Sequence, residues 1–254
     1  MTGKDEENKL WVRRFNPRDD SGLRLVCLPH AGGSASFYLP VAHAAPGPVD
    51  VLAIQYPGRQ DRRKEPSVPT IAELADEVTR VLEPWLDQPL ALFGHSMGAT
   101  LAFEVARRLE DRHGVVLAAL FASGRRAPSR HRDENVHRQG DDGVIAELKR
   151  LSGTDSQVLG DEDLLRMVLP AIRADYRAVE TYVYEPGGKL RCPVIGLVGD
   201  DDPKVTVDEA RSWSDHTEGT FDLHVFTGGH FYLTDHQDEI MKVISDILLP
   251  ARTG

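Results

Sequence analysis

The sequence predicts an α/β fold in which one mainly parallel central sheet is flanked by helices. Short apolar, β-rich runs alternate with helical patterns along the chain, as a sheet sandwiched between helices requires. Several of these runs, 90–93, 115–122 and 193–198, are apolar throughout, which is how strands read when both faces are covered. The chain is also long enough, at 254 residues, to bury a large core as a single unit.

In chain order, a weak strand signal at 11–15 precedes strands at 23–28 and 49–54. A helix is expected over 70–86. Thr70 is a good cap, Glu73 completes a capping-box pattern, and Ile71, Leu74, Val78, Val81, Leu82 and Trp85 line one face. A strand at 90–93 leads into a helix over 97–111, which His113-Gly114 stops. Strands follow at 115–122, 193–198 and 221–226, with helices at 207–215 and 235–249.

Residues 125–189 break the alternation. An Arg- and His-rich loop, 125–139, opens this stretch. Two helical patterns follow, 142–151 and 161–184, the second interrupted by Pro170 and carrying Ile172, Tyr176, Val179 and Val183 at helical spacing. Such an excursion either packs its apolar face on the core or caps a pocket. Its length between two sheet strands favours a lid. The expected organisation is a single domain over 1–254 with a lid insertion at approximately 125–189.

Composition narrows the function. A net charge of −10 and a pI near 5.5 argue against nonspecific nucleic-acid binding, which needs Lys and Arg to neutralise phosphates. Cys27 and Cys192 each sit in an apolar strand-like run and read as reduced core thiols, and no cluster has metal-ligand spacing, so no metal is expected. Residues 1–8 are polar, with no signal-peptide core, and no segment reaches the ~20 apolar residues of a membrane span. These features lead us to expect a soluble cytoplasmic protein with no membrane partner.

The chemistry is concentrated at strand ends. Gly94-His95-Ser96-Met97-Gly98 fits Gly-x-Ser-x-Gly between a strand and a helix, the setting of the nucleophile elbow of the α/β-hydrolase fold. The tight turn demands glycine on both sides and leaves Ser96 at a helix N-terminus, where developing negative charge is favoured. Pro29-His30-Ala31-Gly32-Gly33 follows the strand at 23–28. In this fold one oxyanion donor is the N–H after the nucleophile, here Met97, and the other comes from such a loop, here Ala31. A plain Gly-rich turn would equally account for Gly32 and Gly33 taken alone.

The acid and base should follow in the order Asp, then His. Gly199-Asp200-Asp201-Asp202-Pro203 follows the strand at 193–198. Fold analogy favours Asp202 over Asp200, and a turn rich in Asp and Pro is the bland alternative. Of ten histidines, His230 stands just past the last strand on a Gly-Gly loop. His236 is a rival, but it falls in the start of the last helix. His95 lies inside the elbow, where it would not reach the serine hydroxyl. The expected mechanism has His230 take the Ser96 proton, Asp202 fix the imidazole, and an acyl-serine form and be released by a nucleophile such as water.

Taken together, Leu28-Pro29-His30-Ala31-Gly32-Gly33-Ser34, Gln55-Tyr56-Pro57-Gly58-Arg59, Phe93-Gly94-His95-Ser96-Met97-Gly98-Ala99, Gly199-Asp200-Asp201-Asp202-Pro203 and Gly228-Gly229-His230-Phe231 resemble the type II thioesterases that accompany polyketide and nonribosomal peptide synthases. The resemblance spans nearly the whole chain. It implies an α/β-hydrolase fold with a helical lid, Ser96, Asp202 and His230 as catalytic residues, and Ala31 and Met97 as the oxyanion hole. It also implies hydrolysis of acyl groups from the phosphopantetheine arm of an acyl or peptidyl carrier protein, a housekeeping role. No cofactor of the chain's own is expected, and a monomer is. Carrier proteins are usually acidic, so Arg59, Arg62, Arg63 and Lys64, and Arg125, Arg126, Arg130 and Arg132, are candidate docking clusters, or else solvated loop charges. A carboxylesterase or acyltransferase acting on small esters, and a binding protein of this fold without catalysis, are the alternatives.

Overall fold

The computed structural model describes residues 3–151 and 162–249. Seven strands form one sheet: β1 (Val12–Arg13), β2 (Leu23–Leu28), β3 (Val49–Ile54), β4 (Leu90–His95), β5 (Ala119–Ser123), β6 (Val194–Gly199) and β7 (Phe221–Phe226). Their order is β1-β3-β2-β4-β5-β6-β7. Every pairing is parallel except that of β1 with β3. Eight helices accompany them among the described residues: α1 (Gly3–Trp11), α2 (Leu39–Ala44), α3 (Ile71–Leu82), α4 (Met97–His113), α5 (Asp141–Leu151), α6 (Glu162–Glu180), α7 (Val207–Arg211) and α8 (Gln237–Leu248).

Alternation along the central strands divides the core. Val26, Leu52, Leu92 and Leu120 face α3 and α4, while Leu25, Cys27, Phe93 and Phe121 face α2 and α8. Both faces are dry, which is why these strands are apolar at successive positions. The two cysteines are free and buried, and burial pushes both thiols up, leaving them protonated.

Strands β2, β3 and β7 occupy the residues expected of them. The weak signal at 11–15 shrinks to a two-residue antiparallel edge strand. The strand expected from 115 begins only at Ala119, because α4 ends in a left-handed Gly114 and Val115 N–H is consumed closing that helix on Leu109 O. Thr70 caps α3 by accepting from Glu73 N–H. The helix then tightens at Pro84 into a 3-10 turn over Glu83–Trp85, so it does not run regularly to 86. Likewise 207–215 divides into α7 and a 3-10 turn, and α8 starts at Gln237 with His236 as its cap. Helices α1 and α2 carry no strong apolar periodicity and lie outside the expected elements.

In the stretch 125–189, α5 and α6 are helical as expected. Residue 161 lies outside the described residues. Helix α6 does not break at Pro170, whose missing N–H costs one intrahelical bond on an exposed face. It ends at Glu180, so Val183 lies beyond it and is 76% exposed instead of extending the apolar stripe. Val136, Val144, Leu148, Leu169, Ile172 and Tyr176 form a small apolar cluster of their own, separate from the two faces of the sheet.

Candidate active site

The carboxyl end of β4 turns into α4 at Ser96. This residue adopts φ 55° and ψ −117°, a backbone that non-glycine residues rarely take. The turn closes because its neighbours lack side chains. A β-carbon on Gly94 would lie 2.1 Å from Gly98 O, and one on Gly98 would lie 2.0 Å from Leu28 O. Ser96 N–H is held by Ser123 O at 2.8 Å, tying the turn to β5.

The structure brings Ser96, His230 and Asp202 into one chain of contacts. His230 Nε2 is 3.0 Å from Ser96 Oγ, and His230 Nδ1 is 2.8 Å and 3.0 Å from Asp202 Oδ2 and Oδ1. With its proton on Nδ1, the imidazole donates to the carboxylate and presents Nε2 as an acceptor to the serine hydroxyl. Both His230 and Asp202 are buried. Of the neighbouring aspartates, Asp200 is exposed and accepts from Gly228 N–H, so it shapes the histidine loop and does not touch the ring. His236 engages Glu239 and Thr227 O. His95 is fully buried with Nδ1 on Ser123 Oγ at 2.9 Å, and that hydroxyl lies 2.7 Å from Tyr232 OH.

Two further histidine rings crowd the base. His30 packs edge-on against Phe37 and Phe231, and His95 lies 5.1 Å from His230 between ring centroids. Burial, then His230, then Arg59 hold His30 down at about 3. Burial, then His230, then His30 hold His95 well below the usual imidazole value. Both rings are therefore neutral at pH 7, leaving the His230–Asp202 pair without a competing cation from them.

A cavity of about 450 Å³ opens above Ser96. Ala31 and Gly32 line its floor. Leu148 and Leu151 of α5 and Val168, Ile172, Tyr176 and Val179 of α6 line its roof. Its polar wall includes Arg125, Glu134, Glu180 and Lys204. Burial would raise the Glu134 carboxyl, but Lys204 and Arg126 outweigh it and bring it to about 2. Lys204 also reaches Glu147 of α5 at 3.0 Å, and its backbone N–H donates to Asp202 Oδ1 at 2.8 Å. Lys204 had no distinguishing signal in the sequence.

The proposed docking clusters are mostly engaged within the fold. Arg59 is buried against Asp175, and Arg62 is buried against Glu65 and Gln55 O. Arg126 pairs with Glu134, Arg130 donates to Ser212, Arg132 pairs with Glu209 and Arg125 donates to Thr100. Burial lowers Arg125 to about 10. Arg63 and Lys64 are exposed. Arg63 also donates to Gln60 O at 3.4 Å, so seven of the eight cations bind this chain's own oxygens and do not form an open basic face.

A family model described as the thioesterase domain matches residues 23–248. The chain belongs to the thioesterase domain family. This thioesterase is 54% identical over its whole length to a probable cadicidin biosynthesis thioesterase of Streptomyces griseus, of which it covers 70%. It is 52% identical to thioesterase PikA5 of Streptomyces venezuelae, with 97% of this chain and 88% of the relative aligned. Among solved structures it superposes on the type II thioesterase BorB of the borrelidin biosynthetic cluster with a TM-score of 0.89 and 57% identity, covering 94% of this chain and 98% of that one. The mainly parallel sheet of the thioesterase is thus that of the α/β-hydrolase thioesterases.

Proposed function

We propose that this thioesterase hydrolyses acyl groups from the phosphopantetheine arm of acyl or peptidyl carrier proteins in polyketide or nonribosomal peptide synthesis. The observation that carries the proposal is His230 Nε2 at 3.0 Å from Ser96 Oγ beneath a cavity large enough for an acyl chain. Identity above 50% to biosynthetic thioesterases supports the substrate class.

Ser96 Oγ attacks the thioester carbonyl carbon while its proton passes to His230 Nε2. Asp202 stabilises the resulting imidazolium and keeps its orientation. The carbonyl electron pair moves onto oxygen, where Ala31 and Met97 N–H groups receive it. Met97 supplies the first amide of α4, which has no intrahelical acceptor. When the C–S bond breaks, the phosphopantetheine thiolate leaves with the proton from His230. Water deprotonated by His230 then attacks the acyl carbon, the bond from that carbon to Ser96 Oγ breaks, Oγ takes the proton back from His230, and the acid departs.

The helices α5 and α6 act as a lid, since they roof the cavity and share an apolar cluster separate from the sheet core. The chain needs no metal or bound cofactor for this chemistry, because the carrier delivers the acyl group. It works as a cytoplasmic monomer; no helix among the described residues is long and apolar enough to cross a membrane. Release of free acid from an acyl-phosphopantetheine carrier protein, compared between wild type and Ser96→Ala, tests the proposal. Turnover lost in the variant, with the carrier thioester cleaved faster than a matched simple ester, is expected. Cleavage of the simple ester alone would overturn the substrate assignment.

A further inference from the structure

Gly32 N–H donates to Asp175 Oδ2 at 2.8 Å, joining residues 143 positions apart. Asp175 belongs to α6, and Gly32 follows Ala31 in the loop after β2. Two other bonds to this loop come from the body of the fold, and one lies within it. Tyr38 OH donates to Leu28 O at 2.9 Å, Tyr56 OH donates to Pro29 O at 3.2 Å, and Gly33 N–H donates to His30 O at 2.9 Å.

The last of these bonds closes a turn over 30–33. Gly32, its third residue, has φ +76°, the value a type II turn demands. The middle peptide of such a turn, between Ala31 and Gly32, is the one that rotates when type II converts to type I. Its N–H is the group Asp175 holds. The preceding peptide carries both His30 O and Ala31 N–H, pointing in opposite directions. The His30 O to Gly33 N–H bond sets the direction of Ala31 N–H within the turn, and the Asp175 bond pins the adjoining middle peptide to α6, so together they fix where Ala31 N–H sits.

Asp175 is itself clamped. Arg59 of the Tyr-Pro-Gly-Arg segment pairs with the same Oδ2. It also donates to Pro57 O at 2.6 Å and lies 5.0 Å over the Tyr56 ring. Both side chains of the pair are more than nine-tenths buried. A buried ion pair is a poor source of net stability, because desolvating both charges offsets their attraction. Its effect here is geometric: the carboxylate is held where it must accept Gly32 N–H. Ile172, one turn earlier on α6, presses on the same glycine, and a β-carbon there would meet its Cγ1 at 2.7 Å.

We propose that Asp175 is the positioning residue of the oxyanion hole. Held by Arg59, it locks the 30–33 turn so that Ala31 N–H stays aimed at the developing oxyanion. Because it stands on α6, the hole is complete only when this helix is seated. The inference rests on Ala31 and Ser96 having the roles given above.

Two neutral double variants isolate the acceptor from the ion pair. Arg59→Met/Asp175→Asn retains an oxygen for Gly32 N–H, and Arg59→Met/Asp175→Ala does not. With a p-nitrophenyl acyl ester, the Asn double is expected to keep kcat within about fivefold of wild type. The Ala double should lose about 10²-fold in kcat, the scale of one lost oxyanion donor, with KM nearly unchanged. An alkyl boronic acid, whose serine adduct places an anionic oxygen in the hole, should weaken in parallel with kcat. If the Ala double does not fold, the isosteric Arg59→Met/Asp175→Leu takes its place. Equal kcat in the two doubles, with Ser96→Ala inactive, overturns this inference and leaves the proposed function standing. Turnover retained by Ser96→Ala overturns the proposed function and this inference with it.

Discussion

A β-carbon on Gly98 would sit 2.0 Å from the carbonyl oxygen of Leu28, so α4 packs on the end of β2 with no room for even a methyl group. The obstacle is backbone, which cannot swing aside, and the same contact sets how far Ser96 stands above the sheet. Gly98→Ala should therefore lower stability by about 3 kcal/mol, the upper range for overpacking. For a protein of this size that is a fall of about 6–12 °C in Tm. Gly47→Ala, with nothing within 4 Å of the new methyl, should leave Tm in place. Thermal unfolding of the pair checks this, and equal melting temperatures would refute it.

Asp202 and Asp200 stand two residues apart and do different work. Asp202 faces His230 Nδ1 at 2.8 Å, while Asp200 takes Gly228 N–H at 2.9 Å. Asp202→Asn should reduce kcat by about 10⁴, since an amide at that position favours the wrong imidazole tautomer. Asp200→Asn should keep kcat within about tenfold, because the amide oxygen still accepts from Gly228. Steady-state kinetics on one thioester decide between them; comparable losses would mean that the acid has been misassigned.

The parts of this site that sequence made legible are local. Gly94 to Gly98 announce a tight turn because steric exclusion acts on adjacent residues, and His230 follows a strand and a Gly-Gly pair. The strand cores at 23–28, 49–54 and 221–226 were legible through composition alone. Contacts made across the fold were not. Asp175 is one acid among many on a helix, and nothing near it signals Gly32, 143 residues away. Arg59 and Arg132 looked like surface charge because their partners, Asp175 and Glu209, lie in other elements, and Arg126 because nothing in the sequence singles out Glu134 within its own loop. Where 115–118 failed as a strand, the capping of α4 had already used Val115 N–H.

The buried histidines give stability a definite pH dependence. The folded protein keeps His30 neutral down to about 3, whereas the unfolded chain takes up that proton near its ordinary value of 6.5. Between these limits the unfolded state binds more protons. Stability is thus fully present above 6.5 and lost as pH falls towards 3. His30 contributes about 1.4 kcal/mol per pH unit where this is fully developed. His30→Phe, which retains a ring against Phe37 and Phe231, should flatten the slope by that amount between pH 6 and 4. Denaturant unfolding across that range measures it, and an unchanged slope would exclude a neutral buried His30.

The roof of the cavity sets the acyl chain that fits. Leu148, Leu151, Val168, Ile172, Tyr176 and Val179 present an apolar surface opposite Ser96, and each methylene that a substrate buries there gains about 0.8 kcal/mol. Because this gain is realised on going from water to the transition state, kcat/KM should rise about three- to fourfold per methylene until the chain reaches the roof, then level off. Leu148 is buried in the apolar cluster of α5 and α6. Leu148→Trp would project bulk into the cavity, so the plateau should arrive two or more carbons earlier, while short acyl thioesters are cleaved at wild-type rates. A series of saturated acyl thioesters from two to twelve carbons, run on both proteins, reads this directly. A uniform loss at every length would mean that the substitution damages the catalytic groups, and identical profiles would move the acyl chain to another wall.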